Sequence, residues 1–477
     1  MDLNAILMLL RPELTLAIGA MFALMLGAFA GERAAGWVSL ICAVVLGLAA
    51  VFAATGPLGA AFGGAFTADR LSVFAKVVLF LAAMAAVSLG HGWQHRGGRP
   101  RFEYPVLIVL STLGMSIMVS AGDLISLYMG LELSSLALYV LAAFNRDDAK
   151  ASEAGLKYFV LGALSSGILL YGASLLYGFA GSMRFVDLAV AVQGGADPAV
   201  LFGLVFVIAG MIFKVSAAPF HMWTPDVYEG APTPSVAFFA SASKMAALVL
   251  IARVLLGPFA DAAEQWRQVV VLVAMLSFAV GALGGLRQRN IKRLLAYSSI
   301  ANMGYALLAV AAGGTIGLKA VLVFTTLYVI DSIGFFACLL ALSRRGNPIE
   351  TIDDLAGLWK VKPGFAIALT ILSLSVLGMP PLAGFWAKVF VFGAAVTSGL
   401  WVFAAIGLVA SVIAAFYYLR IVKVMWFDAP VGEADRSPRD ARWLAMACAA
   451  FSFPLVLLAL GLLDGRAAWA AQSLGLG

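Results

Sequence analysis

The sequence has 477 residues, of which 63% are apolar and only 12% are charged. Soluble domains carry roughly a quarter of charged residues, so this composition excludes a water-soluble protein and indicates a protein that spans a lipid bilayer. The formal net charge of +6 at pH 7 does not indicate a nucleic-acid partner, because the basic residues fall mainly in short loops between apolar segments.

The apolar residues form runs of about twenty, the length that an α-helix needs to cross a hydrocarbon layer of roughly 30 Å. The sequence does not show the short alternating segments of a membrane β-barrel. We therefore predict an all-α polytopic membrane protein. Its transmembrane spans are predicted to number about fourteen, near residues 12–31, 36–54, 71–90, 104–121, 123–143, 154–180, 199–220, 233–256, 267–286, 294–312, 317–342, 365–397, 400–426 and 441–463.

Basic residues in the short loops predict the orientation of these spans. Most of them follow odd-numbered spans: Arg33, Arg96, Arg99, Arg101, Arg146, Lys150, Arg287, Arg289, Lys292, Arg293, Arg344, Arg345, Lys360, Lys362, Arg436, Arg439 and Arg442. The opposite loops hold little beyond Arg70, Arg184 and Arg267. Since basic loops stay in the cytoplasm and the number of spans is even, both termini are expected on the periplasmic side.

Two spans contain interruptions by proline, span 7 at Pro219 and span 12 at Pro380 and Pro381. Proline removes a backbone donor and clashes with the preceding turn. In lipid, such a break is tolerated only inside protein or beside a wet cavity. Breaks five spans apart predict two repeated halves, and because five is odd the second half is expected to be inverted in the membrane, as in many transporters.

This interpretation divides the chain into four parts. Spans 1–3 occupy 1–103, the first five-helix repeat occupies 104–256, the second repeat occupies 257–426, and span 14 lies in 427–477. A short similarity between Ser134-Ser-Leu-Ala in span 5 and Ser298-Ser-Ile-Ala in span 10 supports the repeat.

Several charged residues fall inside the predicted spans, although a charge at mid-membrane costs several kcal/mol even on the lenient insertion scale. They include Glu132 in span 5, Lys214 in span 7, Lys244 in span 8 and Lys388 in span 12, with Lys157 near the start of span 6. An amine in a low dielectric releases its proton more readily than one in water, and a nearby carboxylate opposes that release. The pattern predicts a proton relay in which Glu132 and Lys214 form a switchable pair and the later lysines pass the proton on.

Other interpretations of these residues stay open. The buried charges could form static salt bridges, but four lysines against one or two acids would leave costly unpaired charge. Lys157, Lys319 and Lys423 could extend to the membrane surface, and Asp331 in span 11 could carry a proton or pair with a neighbouring group. His221, in the loop after span 7, belongs to the residue type that titrates near neutral pH. It could pass protons between spans 7 and 8, or it could form a hydrogen bond that holds the broken helix in place.

No sequence motif indicates a cofactor, nucleotide or metal in this chain. There is no Walker A loop, no dinucleotide-binding GxGxxG after a strand, no HExxH and no hydrolase nucleophile elbow. Cys42, Cys338 and Cys448 lie far apart inside apolar spans, whereas zinc and iron–sulfur sites need clustered ligands. We interpret these cysteines as packing residues.

Two longer segments, 153–167 and 219–234, resemble the antiporter-like membrane subunits of respiratory complex I, most of all subunit N of the bacterial NADH–quinone oxidoreductase. The resemblance extends over nearly the whole chain and implies fourteen helices, with helices 7 and 12 broken, and one proton channel. Matched by motif position, the family's relay residues on helices 5, 6, 7, 8 and 12 are Glu132, Lys157, Lys214, Lys244 and Lys388. The lysine at position 388 favours subunit N, because the middle subunit of this family tends to carry a glutamate there.

The resemblance also implies the setting of the chain. Protons would move in the membrane arm while NADH, FMN, iron–sulfur clusters and quinone are held by other subunits, with none in this chain. Neighbouring antiporter-like subunits and membrane lipids would be the partners, and the membrane would be the bacterial inner membrane. The alternative is a subunit of a multi-protein cation/proton antiporter, which shares the broken-helix core but has no redox link.

Overall fold

The computed structural model describes residues 3–97, 100–344 and 346–474. Arg99 and Arg345, two of the loop residues used to predict the orientation, lie outside these ranges. The described chain is almost entirely α-helical, which confirms the predicted fold class.

The N-terminal part forms a small helical bundle that carries a β-hairpin. Its helices are α1 (Leu3–Leu9), α2 (Arg11–Ala30), α3 (Ala35–Thr55) and α4 (Arg70–Arg96). The hairpin joins α3 to α4 and pairs β1 (Gly59–Ala61) with β2 (Phe66–Ala68) in antiparallel register. Asp69 begins α4: its carboxylate accepts the Ser72 N–H at 2.8 Å, and the Ser72 hydroxyl oxygen accepts the Asp69 N–H. This reciprocal cap satisfies backbone donors that the first turn of a helix leaves free.

The next helices build the first predicted repeat. They are α5 (Glu103–Val119), α6 (Leu124–Ala142), α7 (Ala149–Ala180), α8 (Phe185–Ala191), α9 (Pro198–Val215), α10 (Trp223–Gly230), α11 (Thr233–Phe238) and α12 (Lys244–Leu256). A π-helical turn, Phe239–Ser243, joins α11 to α12 without a break in the axis. The predicted span 7 corresponds to α9, and α10 forms in the segment after it that the sequence predicted as a loop.

The second predicted repeat and the last span follow. Their elements are α13 (Ala263–Gly285), α14 (Ile291–Ala312), α15 (Gly314–Ala341), β3 (Ser343–Arg344), β4 (Asn347–Pro348), α16 (Leu358–Val361), α17 (Pro363–Leu377), α18 (Ala383–Thr397), α19 (Trp401–Phe427), α20 (Arg439–Ala450) and α21 (Val456–Ala471). Another π-helical turn, Phe451–Leu455, joins α20 to α21. Short 3₁₀ turns lie at Gly31–Ala34, Phe62–Gly64, Ala260–Ala262, Asp353–Leu355 and Gln472–Leu474. The predicted span 12 is α17 followed by α18.

In the described ranges, eleven helical stretches are long and apolar enough to cross a membrane, one of which, 11–55, contains both α2 and α3. Three further apolar helices, α5, α17 and α18, are shorter. The chain is therefore a multi-pass membrane protein, while the count of about fourteen spans, the four-part division and the inverted repeat stay predictions.

The centre of the molecule consists of α11–α12, α14 and α15, which are almost completely enclosed by other helices, whereas α19 and α20–α21 leave much of their surface uncovered. Helices that are apolar on every side belong in the interior of a large bundle or in lipid. Lys244 lies within this central group and Lys388 lies against Tyr305 of α14, so the surrounding helices separate these two amines from the membrane.

Small residues let α5 and α6 approach closely. A Cβ atom added to Gly114 would lie 2.4 Å from the Ser134 backbone nitrogen, and one added to Gly130 would lie 2.7 Å from the Met118 nitrogen. Glycine at such a crossing is typical of membrane helix pairs. The contact fixes the position of α6, the helix that carries Glu132.

Candidate functional site

The first break lies where Pro219 predicts it. Helix α9 ends at Val215, and Ser216 follows in the left-handed conformation with φ 63°. The N–H groups of Ser216 and Ala217 donate hydrogen bonds to carbonyls in the last turn of α9. The chain does not become helical again until Trp223. The last carbonyls of α9 therefore need other partners.

Lys244 supplies one of those partners. Its ammonium nitrogen donates to the Val215 carbonyl at 2.6 Å and also to the Ser216 hydroxyl oxygen. The side chain is 1% exposed, and its nitrogen lies 5.5 Å from the centre of the Trp223 ring. Both the carboxyl end of a helix and an aromatic face favour a cation, so this site can hold the protonated amine without a carboxylate.

The second break repeats this arrangement. Helix α17 ends at Leu377, and Gly378 has φ 97°. Lys388, from α18, donates to the Leu377 carbonyl at 2.5 Å and to the Ser411 hydroxyl at 2.6 Å, and its nitrogen lies 5.1 Å from the Tyr305 ring centre. At each break, an enclosed amine thus binds the last carbonyl of the first half-helix, a serine and an aromatic face.

Lys214 and Glu132 lie at the contact between α9 and α6. Lys214 donates to the Ser135 hydroxyl at 2.7 Å and to the Tyr139 hydroxyl at 3.4 Å. Glu132 is one turn from Ser135 and within electrostatic reach of Lys214. One of its carboxylate oxygens, Oε1, is buried and has no hydrogen-bond partner among the described residues. The structure brings the predicted pair together without an ion pair between them, and its role as a switch stays a prediction.

The structure places Lys157 apart from the buried amines. Its side chain is 41% exposed and forms ion pairs with Glu153 at 2.7 Å and Asp226 at 2.6 Å. Asp226 also pairs with Arg293 at 2.7 Å, and Arg293 with Glu229 at 3.1 Å. Lys157 therefore belongs to a charged cluster at the end of the bundle where α7 begins, as expected for a side chain that extends to the membrane surface.

His221 lies between the two halves of the first broken helix. Its ring is partly exposed, and its Nδ1 atom is buried without a hydrogen-bond partner in the described ranges. No hydrogen bond links it to Lys214 or Lys244 among those residues. Lys319 and Lys423 pair with Asp464 at 3.0 Å and with Asp428, so both match the alternative of interfacial side chains.

The sequence did not predict the neutral partners of Lys214, Lys244 and Lys388. These are Ser135, Tyr139, Ser216, Ser411 and the carbonyls of Val215 and Leu377. A signal existed only for Ser135, three residues after Glu132 and hence on the same helical face. In the described part of the chain, no three His, Cys, Asp or Glu side chains lie together in a way that could hold a metal ion.

The sequence of this chain is similar to those of known membrane proteins. The family model described as "NADH:quinone oxidoreductase/Mrp antiporter, TM" matches residues 121–414. The NADH-quinone oxidoreductase subunit N of Caulobacter sp. (strain K31) is 61% identical over 391 residues, which cover 80% of this chain and 81% of that protein. The subunit N of Erythrobacter litoralis (strain HTCC2594) is 50% identical over 483 residues and 99% of both chains. The chain belongs to the subunit N family of NADH-quinone oxidoreductases.

Solved structures of membrane complexes contain chains with a similar fold. A chain of respiratory complex I from Thermus thermophilus has a TM-score of 0.82 and 33% identity, covering 96% of this chain and 99% of that one. A chain of the Mrp complex from Dietzia sp. DQ12-45-1b has a TM-score of 0.85 at 23% identity, covering 99% of this chain and 98% of that one, which shows a shared fold alone. The resemblance predicted from the sequence is confirmed.

Proposed function

We propose that this chain translocates protons in the membrane arm of an NADH:quinone oxidoreductase through a relay of Glu132, Lys214, Lys244 and Lys388. Quinone reduction elsewhere in the complex drives the relay. The observation that carries this proposal is that Lys214, Lys244 and Lys388 bind hydroxyls and carbonyls rather than carboxylates.

Hydroxyl and carbonyl partners allow an amine to release its proton more readily than a carboxylate partner would. A carboxylate bound to an ammonium in a low dielectric would hold the proton strongly, since the Coulomb attraction there is large. Burial disfavours the charged amine, while the helix ends at Val215 and Leu377 favour it. These opposing effects leave both protonation states accessible, as a proton carrier requires.

The setting of the relay is also part of the proposal. NADH, FMN, iron–sulfur clusters and quinone bind to other subunits, since this sequence offers no motif for them. Neighbouring membrane-arm subunits, among them other antiporter-like chains, and lipids cover the exposed apolar faces of α3 and α19. The membrane is the bacterial inner membrane.

The proposed orientation, with both termini on the periplasmic side, rests on the basic loops, and contacts between helix ends support the alternation of the spans. Arg70, at the start of α4, donates to Gln472 after α21 at 3.1 Å. At the opposite, cytoplasmic end, Arg101 pairs with Glu32 at 3.2 Å. Each contact joins ends that fourteen alternating spans would place on the same side.

The test compares Glu132→Ala and Lys214→Ala with wild type in the intact complex. Inhibitor-sensitive NADH oxidation and proton uptake by inverted membrane vesicles are measured together, and we expect both to fall together in each variant. Lys423→Ala, which removes an exposed amine with a carboxylate partner, serves as the control and should behave as wild type.

Two other outcomes would contradict the proposal in different ways. Normal proton uptake by both variants would show that the buried charges only hold helices together. Sodium-dependent growth defects with normal NADH oxidation would favour the alternative function, a subunit of a cation/proton antiporter.

A further inference from the structure

Asp331 is an enclosed acid that the proposed relay does not use. It lies in α15, is 1% exposed, and forms no ion pair with any described residue within 4 Å. Its carboxylate accepts hydrogen bonds from the Ser375 hydroxyl at 2.6 Å and from the Ser452 hydroxyl. Since an isolated buried carboxylate is costly, its presence here needs an explanation.

The hydrogen bonds of Asp331 connect it to the second break. Ser375 lies in the last turn of α17, and its hydroxyl oxygen also accepts the Gly384 N–H of α18 at 2.9 Å. Asp331 is thereby linked to both halves of the broken helix. Gly384 and Lys388 are one helical turn apart on α18, so the linked turn is the one that carries the amine.

Asp331 and Lys388 also line the same small cavity, together with the polar side chains of Asn302 and Tyr328. Neither charged group is bound to the other: Lys388 is held by Leu377 and Ser411, and Asp331 by its two serines. The arrangement parallels the first half of the chain, where Glu132 lies near Lys214 and serine holds the amine.

We infer that Asp331 is the acid partner of Lys388 and that a proton passes between the two groups across this cavity. The inference rests on the proposed function. In the transfer, an N–H bond of the Lys388 ammonium breaks and an O–H bond forms on the Asp331 carboxylate, which leaves a neutral amine and a neutral acid. The net charge of the pair does not change, so the step avoids creating an additional buried charge.

A purely structural Asp331 would serve only to join α15 to α17 and to the π-helical turn of Ser452. Substitutions separate the two roles because shape and acidity can be changed independently. Asp331→Asn keeps the size of the side chain and its capacity to bond both serines but removes the acid. Asp331→Glu keeps the acid and changes the length.

The experiment measures inhibitor-sensitive NADH oxidation and vesicle proton uptake in the intact complex, with assembly checked on native gels. We expect Asp331→Asn to assemble and to lose on the order of tenfold or more in both activities, as for removal of a proton-transfer group, and Asp331→Glu to restore most of the loss. The double variant Ser375→Ala with Ser452→Ala should retain more activity than Asp331→Asn.

Two results would overturn the inference. One is normal activity in Asp331→Asn, and the other is a loss of activity in Asp331→Glu and in the double serine variant as large as that in Asp331→Asn. The double variant Lys388→Gln with Asp331→Asn should be as active as the less active of the two single variants, because both residues act on one step. Additive losses of activity would contradict the pairing. Lys214→Ala, measured in parallel, separates the two proposals. Loss in Lys214→Ala with a normal Asp331→Asn rejects only the inference, whereas normal activity in Lys214→Ala rejects the proposed function.

Discussion

Single lysines in this chain differ mainly in what their amines contact. Lys244 and Lys388 are enclosed and face carbonyls and hydroxyls, whereas Lys157 and Lys423 are partly exposed and face carboxylates. The sequence predicted the depth of Lys244 and Lys388 because long apolar runs flank them. It could not place Lys157, since α7 has 32 residues, more than a bilayer requires, and so its first turns can lie in the polar surface layer.

This contrast predicts different effects of removing each amine. Lys244→Met should lower vesicle proton uptake on the order of tenfold or more. The complex should still assemble, because methionine fills the same space without the amine. Lys157→Met should change protein stability by less than about 1 kcal/mol, the usual contribution of exposed ion pairs, and should retain most proton uptake. Similar losses in both variants would contradict the distinction between enclosed and interfacial lysines.

The broken helices show how much an element can be predicted from its sequence. Prolines 219, 380 and 381 correctly marked the two breaks, because proline cannot continue the backbone hydrogen bonding. The sequence did not show that Ser216 and Gly378 adopt a left-handed backbone at the breaks, nor that an amine would bind each freed carbonyl. Those features depend on residues 11 to 34 positions away, beyond the reach of local patterns.

Gly378 gives a direct test of the second break. Its φ is 97°, and an added Cβ would lie 2.9 Å from Cδ of Lys388. Gly378→Ala should therefore destabilise the protein by about 1–2 kcal/mol through its left-handed backbone, and it should lower proton uptake by displacing the amine. Thermal unfolding in detergent and vesicle uptake measure the two effects.

The matched control is Gly393→Ala in α18, where an added Cβ meets no atom within 4 Å. Gly393→Ala should leave both stability and uptake close to wild type. Equal effects of the two alanine variants would show that the break does not depend on the conformation of Gly378.

Across the whole molecule, one buried ion pair links the N-terminal helices to α12, and another links two of the N-terminal helices to each other. Arg253, at the end of α12, donates to both carboxylate oxygens of Asp69 at 2.7 and 2.8 Å. Lys76 in α4 pairs with Glu13 in α2 at 2.6 Å. No role could be predicted for these residues from the sequence, because the partners lie up to 184 positions apart and no local pattern joins them. Fold class and family could be predicted because composition and long motifs determine them.

Removing one partner of such a pair should be costly. Asp69→Asn leaves the Arg253 charge buried without its counterion, so we expect a loss of about 3–5 kcal/mol in stability and a smaller amount of protein in the membrane. Proton uptake per assembled complex should change little, since the pair lies outside the relay. Asp428→Asn, at an exposed pair, is the control for loss of a carboxylate; equal destabilisation by both variants would contradict a structural role for the buried pair.

The same pair predicts a pH dependence. Burial alone would raise the pKa of the Asp69 carboxyl, but the Arg253 charge and the hydrogen bonds from Arg253 and Ser72 outweigh it and hold the pKa below its usual value. A lowered pKa stabilises the folded state above the unfolded-state value of about 3.9, and this contribution disappears as the pH falls through the folded-state value. The stability difference between wild type and Asp69→Asn should thus be constant near neutrality and narrow in acid.

The proposed relay depends on amines that gain and lose a proton rather than act as fixed charges. Vesicle proton uptake by the intact complex with Lys388→Arg separates these possibilities, because a guanidinium keeps its charge but does not release its proton in proteins. We predict that Lys388→Arg is as deficient as Lys388→Gln, while Lys423→Arg is normal. Uptake by Lys388→Arg at the wild-type rate would contradict the proposed relay.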